Sequence, residues 1–132
     1  MNKLLGLRIG GQGELFLDIK PTDNFVGSTE DKWCNISLEI KNKHLELSTG
    51  GEILSTYEIK EVIDGLEKIL TDKIKDTFVL ETTEPYLVFI FNKDHLLIKI
   101  MFDSSKDYYC TYIDKYNIKK IYDYLLNILK TQ

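Results

Sequence analysis

The chain has 132 residues, of which 43% are hydrophobic and 29% charged, with two prolines. This length and composition predict one globular domain over residues 1–132 and exclude a disordered or collagen-like chain. The net charge of −4 disfavours a nucleic-acid binder, because an acidic protein repels phosphate backbones. Residues 1–66 hold 11 acids and 7 bases, whereas the second half is balanced, so a charged partner is expected to be basic.

Alternating apolar residues predict strands in the first half of the chain. Leu7 and Ile9 share one face of a short strand, and a glycine-rich turn at 10–13 precedes a second strand. The polar segment from Pro21 to Lys32 is predicted as a loop. Alternation resumes from Trp33 to Lys41 and continues briefly until Gly50 and Gly51.

Two amphipathic helices are predicted, one after residue 56 and one after residue 114. Apolar residues from Ile59 to Leu70 recur at spacings of three and four, which is helical periodicity. Ser55 is a predicted N-cap, and Glu58 three residues later would complete a capping box. Asp114 is predicted to cap the second helix.

Three further strands are predicted in the second half, at 87–91, 96–102 and 108–113. The fold class is therefore α+β: a single domain with an antiparallel sheet of about six to eight strands and the two helices packed on one face. The order of elements suggests an internal repeat, because Ile59, Val62 and Leu66 correspond to Ile118, Ile121 and Leu125. Any two amphipathic helices share such spacing, so duplication stays open.

The sequence contains no motif that predicts catalysis, a metal site or a cofactor. The two histidines, His44 and His95, follow turn residues and lack the spacing of metal ligands. We therefore predict that the protein is not an enzyme and that it needs no cofactor or metal. The less favoured alternative is an enzyme that uses His44 or His95. Cys34 and Cys110 lie beside aromatic residues in strands and are expected to be small buried side chains.

No secretory signal or membrane-spanning run is evident, so the protein is predicted to be cytoplasmic, without membrane or nucleic-acid partners.

Six of the eight tyrosines lie between residues 108 and 124. Tyr108, Tyr112 and Tyr122 are predicted to fill the core. Tyrosine is enriched at protein interfaces, and an acidic surface suits a basic protein. The predicted partner-binding residues are Asp23, Glu30, Asp31, Asp107, Tyr109, Tyr116, Asp123 and Tyr124.

Several features, read in order, resemble the WapI-like immunity protein family of small bacterial proteins. They are an opening Leu7-Arg8-Ile9-Gly10 strand, Phe25-x-Gly27, Trp33 at the head of an alternating strand, a helix from Thr56 with Ile59, Val62 and Leu66, Glu84-Pro85-x-Leu87, and Asp114-x-Tyr116 before the last helix. The resemblance covers nearly the whole chain. It implies a cytoplasmic α+β protein without enzymatic activity that binds and blocks a cognate toxin domain, often a nuclease.

Two function classes follow. The first is an immunity protein that neutralises a toxin domain, expected to be a basic nuclease, by direct contact. The alternative is a structural or regulatory homodimeric subunit that pairs through a sheet edge. The sequence leaves the choice between monomer and homodimer open.

Overall fold

The computed structural model describes residues 7–9, 14–41, 46–82, 87–101 and 108–130. These residues form eight strands and two helices. In chain order the elements are β1 (Leu7–Ile9), β2 (Glu14–Phe25), β3 (Lys32–Lys41), β4 (Glu46–Ser55), α1 (Thr56–Leu70), β5 (Phe78–Glu81), β6 (Leu87–Phe91), β7 (His95–Met101), β8 (Tyr108–Asp114) and α2 (Lys115–Lys130).

The strands form two antiparallel sheets of four, in the orders β1-β2-β3-β4 and β5-β6-β7-β8. Each sheet is a run of neighbouring strands followed by one helix, so the predicted α+β class, the strand number and the two helices are confirmed. The strands divide into two sheets instead of the single sheet predicted, because β4 and β5 do not pair with each other. Neither helix is long and apolar enough to cross a membrane.

Both sheets and both helices share one hydrophobic core. α1 packs on β3, β4 and β6, α2 packs on β1, β2, β7 and β8, and the helices pack on each other. Asp72, just after α1, forms an ion pair with Lys115 at the start of α2. The end of one helix therefore meets the start of the other, and the two helices run antiparallel. The prediction of one domain over residues 1–132 includes residues outside the described ranges, so it stays a prediction.

The central strand pairs of the two sheets, β2 with β3 and β6 with β7, can be aligned at their buried positions. Leu17 pairs with Leu38 in the first sheet, and Phe89 pairs with Ile98 at the equivalent place in the second. Each helix is capped by a side chain that accepts a hydrogen bond from the amide three residues on. The buried positions that correspond between the sheets are Leu15 with Leu87, Ile19 with Phe91, Ile36 with Leu96, and Ile40 with Ile100. Any antiparallel pair with one buried face shows such matches, so the internal repeat stays a prediction.

The helix caps are as predicted. Ser55 Oγ accepts from the Glu58 amide at 3.2 Å, and the Glu58 carboxylate accepts from the Ser55 amide, which completes the capping box. Asp114 Oδ1 accepts from the Asn117 amide at 2.9 Å. Ser, Asp and Glu at these positions satisfy amides that a helix leaves without partners in its first turn.

Three strand predictions differ from the structure. β2 continues to Phe25, within the segment predicted as a loop, with a register irregularity between Pro21 and Phe25. β4 runs through Gly50 and Gly51 to Ser55, and β5 was not predicted. In each case pairing with a neighbouring strand overrides weak local propensity, since proline, glycine and short polar-flanked runs are poor strand signals.

The side-chain direction predicted for β8 was wrong at three positions: Tyr109, predicted to be exposed, and Cys110 and Tyr112, predicted to be buried. Ile113 is buried, so the two-residue period of the strand turns Tyr109 and Thr111 inward and Cys110 and Tyr112 outward. Tyr112 is 60% exposed instead of filling the core, and Cys110 is exposed. Tyr122 does pack against the core as predicted, whereas the side chain of Tyr108 lies outside the described part of the chain.

Candidate partner-binding surface

The β2–β3 hairpin extends much further beyond its last pair of core residues than the β6–β7 hairpin of the second sheet does. In the first sheet, residues 20–35 lie between the paired core residues Ile19 and Ile36. In the second sheet only residues 92–95 lie between the equivalent pair, Phe91 and Leu96. We name residues 20–35 the β2–β3 extension; it contains the predicted contact residues Asp23, Glu30 and Asp31.

Hydrogen bonds hold the β2–β3 extension in place. The Thr22 hydroxyl donates to the Trp33 carbonyl at 2.8 Å, and the Asn24 side-chain amide donates to the Glu52 carboxylate of β4 at 3.1 Å. At the tip, the Val26 amide donates to the Asp31 carbonyl at 2.8 Å, and the Thr29 hydroxyl donates to the Val26 carbonyl. The extension is therefore ordered by its own contacts.

Asp31 attaches the β2–β3 extension to the start of α1. Its side chain is only 9% exposed, and Oδ1 accepts from the Thr56 hydroxyl and from the Tyr57 amide, both at 2.9 Å. A carboxylate at a helix N-terminus is stabilised by the free amides and by the helix dipole. The structure thus gives Asp31 a role in holding the surface together, and a direct partner contact for it stays a prediction.

Two exposed aromatic side chains stand beside this attachment point. Phe25 is 52% exposed and Tyr57 is 46% exposed. The ammonium of Lys32 lies 5.3 Å from the centre of the Phe25 ring, and that of Lys60 lies 5.3 Å from the Tyr57 ring. Neither was predicted as a contact residue, although Phe25 interrupts a polar segment and Tyr57 lies off the apolar stripe of α1.

The remaining predicted contact residues lie elsewhere. Tyr116, in the first turn of α2, is 71% exposed, with the Lys120 ammonium 4.7 Å from its ring centre. Asp123 is exposed and pairs with Lys119 at 2.9 Å. Tyr109 is partly buried against the core. Asp107 lies outside the described residues.

Tyr124 is half-buried instead of exposed. Its hydroxyl accepts a hydrogen bond from the Ile19 amide of β2 at 2.9 Å. Burial raises the pKa of the Tyr124 hydroxyl, the nearby Asp18 carboxylate adds to the rise, and the bond from Ile19 opposes it. This tyrosine helps fix α2 on the first sheet.

The predicted contact residues therefore form two groups. Because the helices are antiparallel, the start of α1 and the start of α2 lie at opposite ends of the helix pair. α1 has 15 residues, so the two ends are about 22 Å apart. Asp23, Glu30 and Asp31 lie at one end and Tyr116 at the other.

No group of three or more potential metal ligands occurs in the described ranges. His95 stacks on Tyr112 with ring centres 4.7 Å apart, and its Nδ1 lies 2.7 Å from Asp94 Oδ1. That hydrogen bond lowers the pKa of the Asp94 carboxyl. His44 is outside the described residues, and both cysteines are free thiols.

A second surface feature is a groove between β5 and the outer face of α1. It has a volume of about 400 Å³ and is lined by Lys60, Glu61, Asp64, Phe78, Val79 and Leu80. Val79 is 54% exposed, and among the described strands β5 pairs only with β6. An apolar edge strand of this kind can accept another strand.

The β2–β3 extension is held in place by hydrogen bonds, carries exposed acids and lies beside two exposed aromatic rings. These are properties of a protein-binding domain of the α+β class. A sequence model of the immunity protein WapI-like family matches residues 7–131, so the chain belongs to that family. The resemblance seen in the sequence is thereby confirmed. Membership of an immunity protein family implies a non-enzymatic inhibitor of a toxin. No curated protein and no solved structure matches the chain.

Proposed function

We propose that this protein binds a cognate toxin domain and neutralises it by direct protein–protein contact. The observation that carries the proposal is the family match over residues 7–131, which covers nearly the whole chain. The inhibitor acts without chemistry of its own, by occupying the toxin surface. The encounter takes place in the cytoplasm, where an immunity protein would meet a toxin that has entered the cell.

A nuclease is the toxin class that the charge supports best. A nuclease binds phosphate backbones through a basic surface, and an acidic protein is attracted to the same surface. The net charge of −4 and its location in the first half of the chain are consistent with this partner. Asp23 and Glu30 are exposed and well placed for such contact.

Calorimetry tests the proposal directly. The purified protein is titrated with the C-terminal domain of the toxin encoded by the gene immediately upstream, and the same pair is co-expressed in a toxin-sensitive host. We expect one-to-one binding with a Kd of about 1 nM or below, as tight inhibitor complexes show, and rescue of growth. No heat with both proteins folded, together with no rescue, would contradict the proposal.

The exposed edge of β5 favours a second candidate, a homodimeric subunit. Two copies could pair through Phe78–Glu81 and join their sheets, with Val79 at the contact. Sedimentation at micromolar concentration separates the two candidates. A dimer that Val79→Lys dissociates, with no binding to the toxin domain, would favour the subunit.

A further inference from the structure

Comparison of the two halves shows that the β2–β3 extension is not needed to join its strands. The equivalent strands β6 and β7 are joined through residues 92–95 alone. Of residues 20–35, only Asp31 and Cys34 are buried, so the extension adds little to the core. A hairpin extension that buries few side chains and is nevertheless held in place by hydrogen bonds is typical of a recognition element on a rigid scaffold.

The order of the β2–β3 extension reduces the cost of binding. The bonds from Thr22 and Asn24 fix its stem against β3 and β4, and those of Asp31 fix its end against α1. A surface that is already in its bound shape loses little conformational entropy when a partner docks.

Phe25 and Tyr57 lie on the same end of the molecule. Phe25 pairs across the strands with Lys32, whose backbone amide donates to the Thr56 hydroxyl at 3.3 Å, directly before Tyr57. Both rings are about half exposed, with a lysine ammonium over each. Large, rigid aromatic side chains of this kind dominate the energy of protein interfaces.

The surface around these rings has a small excess of acids, although the charged group nearest each ring is a lysine ammonium. The Glu52 carboxylate accepts from the uncharged Asn24 amide, and the Asp31 carboxylate accepts from uncharged donors of Thr56 and Tyr57. These bonds leave the negative charges in place. Asp23 and Glu30 are exposed and form no ion pair with any residue in the described ranges. Against the four acids Asp23, Glu30, Asp31 and Glu52, the bases of this surface are Lys20, Lys32 and Lys60.

From these four observations we infer that the β2–β3 extension and the first turn of α1 form the docking surface for a basic protein domain, with Phe25 and Tyr57 as its aromatic anchors and Glu30 in its acidic rim. This inference rests on the proposed function, in which the basic domain is the cognate toxin. Tyr116, at the other end of the helix pair, lies outside this surface.

The chain supplies a matched control for the aromatic anchors. Tyr57 and Tyr116 are each the second residue of a helix, each is exposed, and each has a lysine ammonium over its ring. Tyr57→Ala, Phe25→Ala and Tyr116→Ala are titrated against the C-terminal domain of the toxin encoded upstream. We expect Phe25→Ala and Tyr57→Ala each to raise Kd by about tenfold or more, and Tyr116→Ala to change it by less than about threefold.

Charge reversal tests the basic nature of the partner. Glu30→Lys is compared with Asp123→Lys, because both carboxylates are exposed and only Glu30 lies on the inferred surface. Glu30→Lys should slow association at low salt, and the difference from the unmodified protein should shrink as salt screens the charges. Asp123→Lys should leave association unchanged. Asp31 is not reversed, because that change would remove the contact that holds the surface on α1.

The outcomes separate failure of the inference from failure of the proposed function. No binding by the unmodified protein contradicts the proposed function. Binding that survives Phe25→Ala, Tyr57→Ala and Glu30→Lys, or that is lost in Tyr116→Ala, overturns the inferred surface while leaving the function intact. Urea unfolding checks that each variant is folded. Hydrogen exchange on the unmodified complex gives a second test, because residues 20–35 should become protected on binding.

Discussion

The ring of Phe91 in β6 fills the space that a side chain at Gly65 of α1 would need. A Cβ built on Gly65 would lie 2.7 Å from Cδ1 and 2.8 Å from Cζ of that ring. The Phe91 ring has little room to move away from α1, because it is fully buried and stacks on Phe78 with ring centres 4.6 Å apart. The glycine is therefore a packing requirement of the helix–sheet contact.

Gly65→Ala is expected to destabilise the fold by about 1–2 kcal/mol. Because the Cβ would lie closer than 3.0 Å to the Phe91 ring, we expect an overpacking cost of about 2–3 kcal/mol, of which better helix propensity offsets about 1 kcal/mol. Urea unfolding measures the change. The double variant Gly65→Ala, Phe91→Leu should lose less than the sum of the two single variants, because the smaller side chain makes room for the methyl group. Strict additivity would show that the two residues do not compete for space.

Asp31→Ala is expected to lower the free energy of unfolding by about 1–2 kcal/mol. The change leaves the Thr56 hydroxyl and the Tyr57 amide without their acceptor and removes a negative charge from the start of α1. Asp23→Ala is the control: Asp23 is exposed, and its replacement should change stability by less than about 0.5 kcal/mol. Equal effects in urea titration would argue against the capping role.

Asp72→Gly is expected to stabilise the protein by about 0.5–1 kcal/mol. Asp72 has a φ of 57°, in the left-handed region where glycine carries no Cβ penalty. The amides of Asp72 and Lys73 donate to Ile69 and Lys68, a helix ending that usually has glycine at this position. The exposed ion pair with Lys115 offsets little of the gain. Lys115→Ala measures that offset, and a melting temperature lowered by Asp72→Gly would contradict the prediction.

The two thiols should differ sharply in reactivity. Cys110 is exposed and Cys34 is fully buried, so DTNB at about pH 8 should modify one thiol per native molecule and two after unfolding. Cys110→Ala should leave no reactive thiol in the native protein. Two fast-reacting thiols in the folded state would show that the strand contacts of Cys34 open readily.

Alkaline pH should weaken the fold through Cys34. Burial, with a smaller effect of the nearby Asp31 charge, raises the pKa of the Cys34 thiol from 9.0 to about 11. Between these values the unfolded chain has released the proton and the folded chain has kept it. The contribution of Cys34 is therefore full below pH 9 and lost as pH rises through about 11. Cys34→Ala should flatten this part of the profile relative to Cys110→Ala.

Sequence patterns predicted the features that depend on local chemistry. Both helices and their caps at Ser55 and Asp114 were predictable because a helix start needs a side-chain acceptor, and the apolar stripes are long. The direction of Tyr112 was not predictable, since tyrosine is tolerated on either face of a sheet and only the burial of Ile113 fixes the period.

The candidate surface was only partly predictable. The acidity of Asp23 and Glu30 is visible in the sequence, but the role of Asp31 depends on a contact with Thr56, 25 residues away. The exposure of Phe25 follows from the continuation of β2 past Pro21, which the polar composition concealed. Long-range pairing decides such features, and one sequence does not display it.

Because both sheets and both helices share one core, some packing contacts can form only late in translation. β1 and β2 precede α2 in translation, yet α2 is the helix that packs on them. β1 and β2 are therefore translated long before the helix that packs on them, and their contacts with α2 span most of the chain, whereas β3 and β4 are followed at once by α1. Such late, distant contacts slow folding and leave nascent chains open to aggregation or chaperone capture.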